Sequence, residues 1–186
     1  MNVGIIEGRI RDALSRDSMI ALVAARRLSQ RLGEGLISSN DLLNGVRKTD
    51  EKLDSMLTDH GCPAPEDSFY RDGLDVESIQ VGNASSDAMF HLCNDPRNNT
   101  VAVMQIAESL SLQETDQVQT HEIEPLHILL ALLEWDESNG HQIFDPHSIN
   151  PQIYSGLRRV LNDGVQISLN RARETSPLET AVLAEV

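Results

Sequence analysis

Residues Glu122–Asp136 read EIEPLHILLALLEWD, and from Leu126 to Leu133 every position except His127 is apolar. The run is too short to cross a bilayer, which takes about 20 apolar residues. A helix that is apolar nearly all round is one covered by neighbours on several sides. Pro125 suits the first helical turn, where a missing N–H costs nothing. The run also has a twin. Residues Arg31–Pro65 read RLGEGLISSNDLLNGVRKTDEKLDSMLTDHGCPAP. At an offset of 86 positions Ile37 falls on Ile123, Leu42 on Ile128, Leu43 on Leu129, Gly45 on Ala131 and Val46 on Leu132. With one residue of slip, Met56 meets Ile143, Leu57 meets Phe144 and His60 meets His147. Self-similarity at a fixed offset is the mark of a repeated structural unit.

Outward from this pair the chain reads as helices. Met19, Ile20, Val23, Ala24, Leu28 and Leu32 recur at three and four residues and predict an amphipathic helix. Gly33 and Gly35 stop it. Ser38, Ser39 and Asn40 are good N-caps, and Asp41 stands where a capping box would place it. A short helix to about Arg47 follows, then a third from Asp50 to His60 with Leu53, Met56 and Leu57 on one face. Gly61 ends that helix. Pro63 and Pro65 open a poorly patterned fourth element in which Phe69, Tyr70 and Leu74 pack. In the second unit, Thr100–Leu112 repeats the long helix with Val103, Ile106, Ala107 and Leu110 inward. Ser138–Phe144 is the third helix, and Asn150 caps a fourth carrying Ile153, Leu157, Val160 and Leu161. Between the units lies a long polar linker, with a short extra helix from Ser86 to Leu92.

Composition agrees with helices packed on helices. Hydrophobic residues make up 40% of the chain and aromatics only 3%, so the core is built from Leu, Ile, Val, Met and Ala. The net charge of −14 argues against nucleic acid and against an anionic membrane surface, and asks any charged partner for a basic patch. Two cysteines, Cys62 and Cys93, lie far apart outside any CxxC and read as free thiols of a reducing, cytoplasmic setting. There is no secretory apolar core near the start and no window long enough for a membrane span.

Taken twice and in order, these motifs resemble the Clp N-terminal domain, the Clp repeat domain of Clp-family AAA+ chaperones. Each family repeat reads roughly L-G, three residues, I, two residues, E-H-L-L, one residue, G or A, then L. Here the first copy is Leu32-Gly33, Ile37, Asn40-Asp41-Leu42-Leu43, Gly45-Val46. The second is Ile123, Leu126-His127-Ile128-Leu129, Ala131-Leu132. The resemblance covers about residues 10–162. It implies an all-α fold of about eight helices, two four-helix repeats related by a pseudo-twofold axis. Repeat one would occupy about 10–74, the linker 75–99 and repeat two 100–162, within a domain of 1–162 followed by a tail or linker, 163–186. It also implies a non-catalytic interaction module that binds substrates or adaptor proteins of the Clp system, or acts as an accessory subunit. The contact surface it suggests is the helix-start edge of each repeat: Ser38, Ser39, Asn40 and Asp41, with Glu124, Pro125, Leu126 and His127. The groove between the repeats is the other candidate. The alternative is an unrelated all-helical scaffold in a secretion or stress assembly.

The departures matter as much. Some family members bind phosphorylated arginine through the glutamate of each E-H pair. Asn40 and Leu126 stand at those places here, so that activity does not carry over. The segment Gln113–Thr120 interrupts repeat two where repeat one has a tight turn, and is expected to be a loop that tunes partner choice. The sequence holds no GxxxxGK[ST] and no GxGxxG, so no phosphate-cradling loop is expected. His121 and His127 are six apart, unlike the i, i+4 pair of a zinc helix, and His127 reads as a helix-junction or capping residue. His60 and His147 read as helix-end cations. Cys62 and His60 are too close in sequence for a nucleophile–base pair. No enzyme activity, metal or cofactor is expected. Trp135 reads as packing, with a binding anchor as the sharper alternative.

Overall fold

The computed structural model describes residues 3–59, 61–66, 69–96, 98–114 and 122–138, and the single positions 159 and 163. Among them are seven α-helices: α1 (Val3–Ala13), α2 (Arg16–Arg31), α3 (Ser39–Thr49), α4 (Glu51–Asp59), α5 (Gly82–Phe90), α6 (Thr100–Glu114) and α7 (Pro125–Ser138). A π-helical turn spans Phe69–Gly73, and a two-stranded antiparallel hairpin pairs β1 (Asn94–Asp95) with β2 (Asn98–Asn99). The fold is therefore all-α apart from this hairpin. The helices expected at Ser138–Phe144 and after Asn150, and His60, His121 and His147, lie outside the described residues.

Local chemistry places the helix ends. Ser15 caps α2 by accepting a hydrogen bond from the Ser18 N–H. At the other end Gly33 takes φ +76°. The Gly33 N–H bonds to the Gln30 carbonyl and the Glu34 N–H to the Ser29 carbonyl, the paired bonds of a Schellman stop. The expected capping box of α3 is present: Ser38 Oγ accepts from the Asp41 N–H, and Asp41 accepts from the Ser38 N–H. Asp50 caps α4 through the Lys52 and Leu53 N–H groups. α4 then buries Leu53 and Leu57 as read from the sequence.

α7 is the central helix. Ile128, Leu129, Leu130, Ala131, Leu132 and Leu133 are all buried, with Trp135 at one end. It packs on α6, α3 and α2. Trp135 thus joins the main core. α2 and α3 form the most extensive helix pair, and Gly45 is where they touch. A Cβ built there would stand 2.2 Å from the Ala21 carbonyl oxygen.

The reading of α2 needs correction. Its inward stripe is not a single face. Ala21, Leu22 and Ala25 enter the main core. Val23, Ala24 and Leu28 enter a second, smaller cluster closed by Tyr70, Leu74 and Ile79. The π-helical turn and the segment after it cover the expected stripe, while the main core covers the side that periodicity alone leaves to solvent. Leu32, expected inward, is 67% exposed, because the chain has already turned away at Gly33.

Two further elements were not foreseen or were misplaced. α1 was not foreseen, although Ile10, Ala13 and Leu14 are buried at i, i+3, i+4 spacing. The extra helix expected at Ser86–Leu92 is α5, begun four residues earlier, and the supposed linker is largely structured. The first residues of the expected insertion, Gln113 and Glu114, continue α6; residues 115–121 lie outside the described set.

Two isolated parallel bridges join segments far apart in the chain: Leu14 with Ile123, and Ile37 with Leu92. The Ile123 N–H bonds to the Ala13 carbonyl at 2.7 Å, and the Ile37 N–H bonds to the His91 carbonyl at 2.7 Å. On the first bridge the Ser15 N–H returns to the Ile123 carbonyl at 3.1 Å. On the second a hydroxyl stands between the strands. The Cys93 N–H bonds to Thr100 Oγ1 at 2.7 Å, and Thr100 Oγ1 donates to the Ile37 carbonyl at 3.1 Å.

Arg47 closes the α3–α4 corner. Its side chain is fully buried, and Nε donates to Asp54 Oδ1 at 2.6 Å. Nη1 reaches the Pro63 carbonyl and Nη2 reaches Thr58 Oγ1. A guanidinium is buried at tolerable cost only when its N–H groups find acceptors, and here they do.

Candidate interaction edges

The residues singled out from the sequence lie at the starts of α3 and α7, two helices that pack against each other. The two starts are built differently. At α3, Ser39 and Asp41 are buried, Ser38 is half-buried, and Asn40 is exposed. Asp41 turns inward to accept from both the N–H and the hydroxyl of Ser38. Burial holds its carboxyl above the ordinary value, and the two Ser38 bonds offset part of that rise. At α7, Pro125 and His127 are buried, Leu126 is half-buried, and Glu124 is exposed. His127 Nδ1 accepts the Glu124 N–H at 2.9 Å, so this nitrogen carries no proton. His127 is thus a capping residue, as its position suggested. What each edge offers a partner is a single exposed polar group, Asn40 on one and Glu124 on the other, beside half-buried Ser38 and Leu126.

A hairpin contact absent from the sequence reading completes the α3 start. Asn98 Oδ1 accepts from the Ser39 N–H at 2.6 Å and from Ser39 Oγ at 2.7 Å. The only advance signal was an Asn-rich segment between two helices, and nothing in it indicated which N–H it would meet.

Burial raises the Cys62 thiol, and the nearby Arg47 offsets this only in part, so its thiolate is scarce near neutrality. Burial and the Asp54 carboxylate push the Tyr70 phenol to about 12, against the pull of Arg47. Among the described residues no three His, Cys, Asp or Glu side chains come together as metal ligands would. Nor is any of their helices long and apolar enough to cross a membrane. An open cavity of about 290 Å³ lies between Arg16, Asp17, Ile20, Thr49, Val76 and Glu77, and includes no residue of either edge.

A guanidinium needs a carboxylate held ready for a paired bond. On the α3 edge Asn40 is neutral and Asp41 is committed to Ser38. Titration calorimetry of the chain with a phosphoarginine peptide is therefore expected to give no binding heat. Saturable binding that is lost in Glu124→Gln would mean that Glu124 had taken the role.

No protein-family model, no curated protein and no solved structure matches the chain. What the fold defines at this point is a class: an all-α protein with one buried central helix.

Proposed function

We propose that this chain is a non-catalytic protein-interaction module of the Clp type. In that reading it is built from two copies of one helical unit related by a pseudo-twofold axis. It binds substrates or adaptor proteins for an unfolding machine, or serves that machine as an accessory subunit, in the cytoplasm.

The observation that carries the reading is the crossing of the two bridges. Ile37, just before α3, is tied to the end of α5, and Ile123, just before α7, is tied to the end of α1. Each half gives the other the same contact, which is what a twofold relation produces. The buried positions of α3 and α7 support it as well: Leu42, Leu43 and Val46 pair at the sequence offset with Ile128, Leu129 and Leu132, and all six are buried. On this reading α1–α3 correspond to α5–α7, and the second unit begins at α5 rather than at Thr100.

The test is a pull-down on the tagged full chain from bacterial lysates that contain or lack the Clp ATPase and protease. Capture of a Clp subunit or adaptor, lost in the deleted lysate, is the expected result. Capture of a secretion or stress assembly that persists without the Clp proteins would favour the unrelated-scaffold reading and sink this one.

A further inference from the structure

α2 serves two cores at once, and the smaller one is closed from its far side by Tyr70, Leu74 and Ile79. These three closing side chains are not held alike. The Tyr70 phenol takes a hydrogen bond from the buried Arg47, and its ring lies 4.9 Å from Lys48 Nζ. Lys48 also bonds to the Arg71 carbonyl, so the π-helical turn is pinned to α3. Leu74 and Ile79 belong to residues 74–81, an irregular segment between that turn and α5. Its turn is closed on itself: the Ile79 N–H bonds to the Val76 carbonyl, and the Glu77 and Ser78 N–H groups bond to Asp75 Oδ1. Among the described residues its one hydrogen bond to α2 runs from Arg27 Nη1 to the Asp75 carbonyl at 3.5 Å, beyond the usual range for N–H···O.

What holds the segment down is therefore the packing of two side chains, Leu74 and Ile79, while Asp75, Glu77, Ser78 and Gln80 are exposed. A second observation concerns its edge. The open cavity of about 290 Å³ lies between Val76 and Glu77 of this segment and Arg16, Asp17, Ile20 and Thr49 of α2 and α3. Ile20 and Val76 also pack against the smaller cluster, so the opening reaches the rim of what the segment covers. Segments with few buried apolar contacts and no ladder to their neighbours open at lower free energy than the core. We propose that residues 74–81 are a cover that lifts from α2 as a unit, with Tyr70 as its pinned end, while the main core stays closed. The self-closed Asp75 turn keeps its shape as the cover moves, and lifting bares Val23, Ala24 and Leu28. This inference stands apart from the interaction-module reading.

The test places the same reporter in each core of the full chain. Val23 is buried in the smaller cluster and Val46 in the main one. Val23→Cys and Val46→Cys are treated with a bulky maleimide, and the labelled position is read by peptide mass spectrometry. Each rate is normalised to that of the unfolded chain. The thiol of Val23→Cys should label roughly a hundred-fold faster than that of Val46→Cys, because it waits only for a local opening. Its rate should also respond weakly to low urea, since lifting exposes little surface. Leu74→Ala removes one of the two anchors and should speed labelling in Val23→Cys by roughly ten-fold or more, leaving Val46→Cys unchanged. Equal rates in the two reporters overturn the cover, and so does an equal acceleration of both by Leu74→Ala. The unsubstituted chain gives an independent reading with a glutamate-specific protease. Cleavage after Glu77 should precede cleavage after the buried Glu108 of α6, and the reverse order overturns the cover even if a variant fails to fold.

Discussion

Gly45→Ala is expected to destabilise the protein by about 3 kcal/mol. In an exposed helix the same change would stabilise by roughly 1 kcal/mol, because alanine is the better helix former. The sign reverses here because of what the added methyl meets. A Cβ at residue 45 would lie 2.2 Å from the Ala21 carbonyl oxygen and 3.0 Å from the Ala25 nitrogen. Both are backbone atoms of α2, so no side-chain rotation relieves the contact, and the two helices must move apart. They are the most extensive pair in the fold, so the shift also loosens Leu22, Leu42 and Val46. Urea unfolding of the two proteins measures the difference. A Gly45→Ala protein as stable as the parent would mean that α2 and α3 do not approach as described. The sequence equivalent in α7 is Ala131, and Ala131→Gly should cost only about 1 kcal/mol, the ordinary glycine penalty.

Leu129→Ala is the second large effect, about 2–5 kcal/mol. Leu129 is fully buried in the main core, where α7 packs on α2, α3 and α6. A helix enclosed by so many neighbours cannot collapse into the space left, so the cavity term is added to the lost transfer energy. Leu32→Ala provides the contrast. Leu32 continues a clean apolar stripe in the sequence but is exposed, so its loss should stay within about 0.5 kcal/mol. Thermal unfolding of both variants checks the pair. Equal shifts for the two would contradict the burial pattern.

The contrast between these leucines shows where reading the sequence stopped. Periodicity says that a residue lies on a helix face. It does not say how far the helix runs or what lies beyond its last turn. Leu32 fits the stripe by spacing, and it is Gly33 with positive φ that takes the chain off the core. Capping chemistry is local, so Ser38 with Asp41, Pro125 and His127 were legible before any packing was known. The exposure of the candidate edges was not. Ser39 and Asp41 are polar and near a helix start, yet both are buried, because a hairpin from far along the chain covers one and Ser38 draws the other inward.

Arg47 makes the same point from the opposite side. In the last turn of a helix a cation ordinarily faces solvent and complements the helix dipole. The Arg47 side chain is instead fully buried, because α4 and the segment after Gly61 fold back over it and supply Asp54, Thr58 and the Pro63 carbonyl.

What the sequence determined by itself is the all-helical character, the identity of α7 as a helix buried on several sides, and the caps that begin α3 and α7. Each depends on residues within a turn or two of one another. Only the tertiary structure decided that α2 is covered on two sides, that Ile37 bridges to Leu92 and Ile123 to Leu14, and that Asn98 bonds to the start of α3. Those are contacts between residues that lie tens of positions apart, and they depend on which surfaces meet when the helices close around a common core.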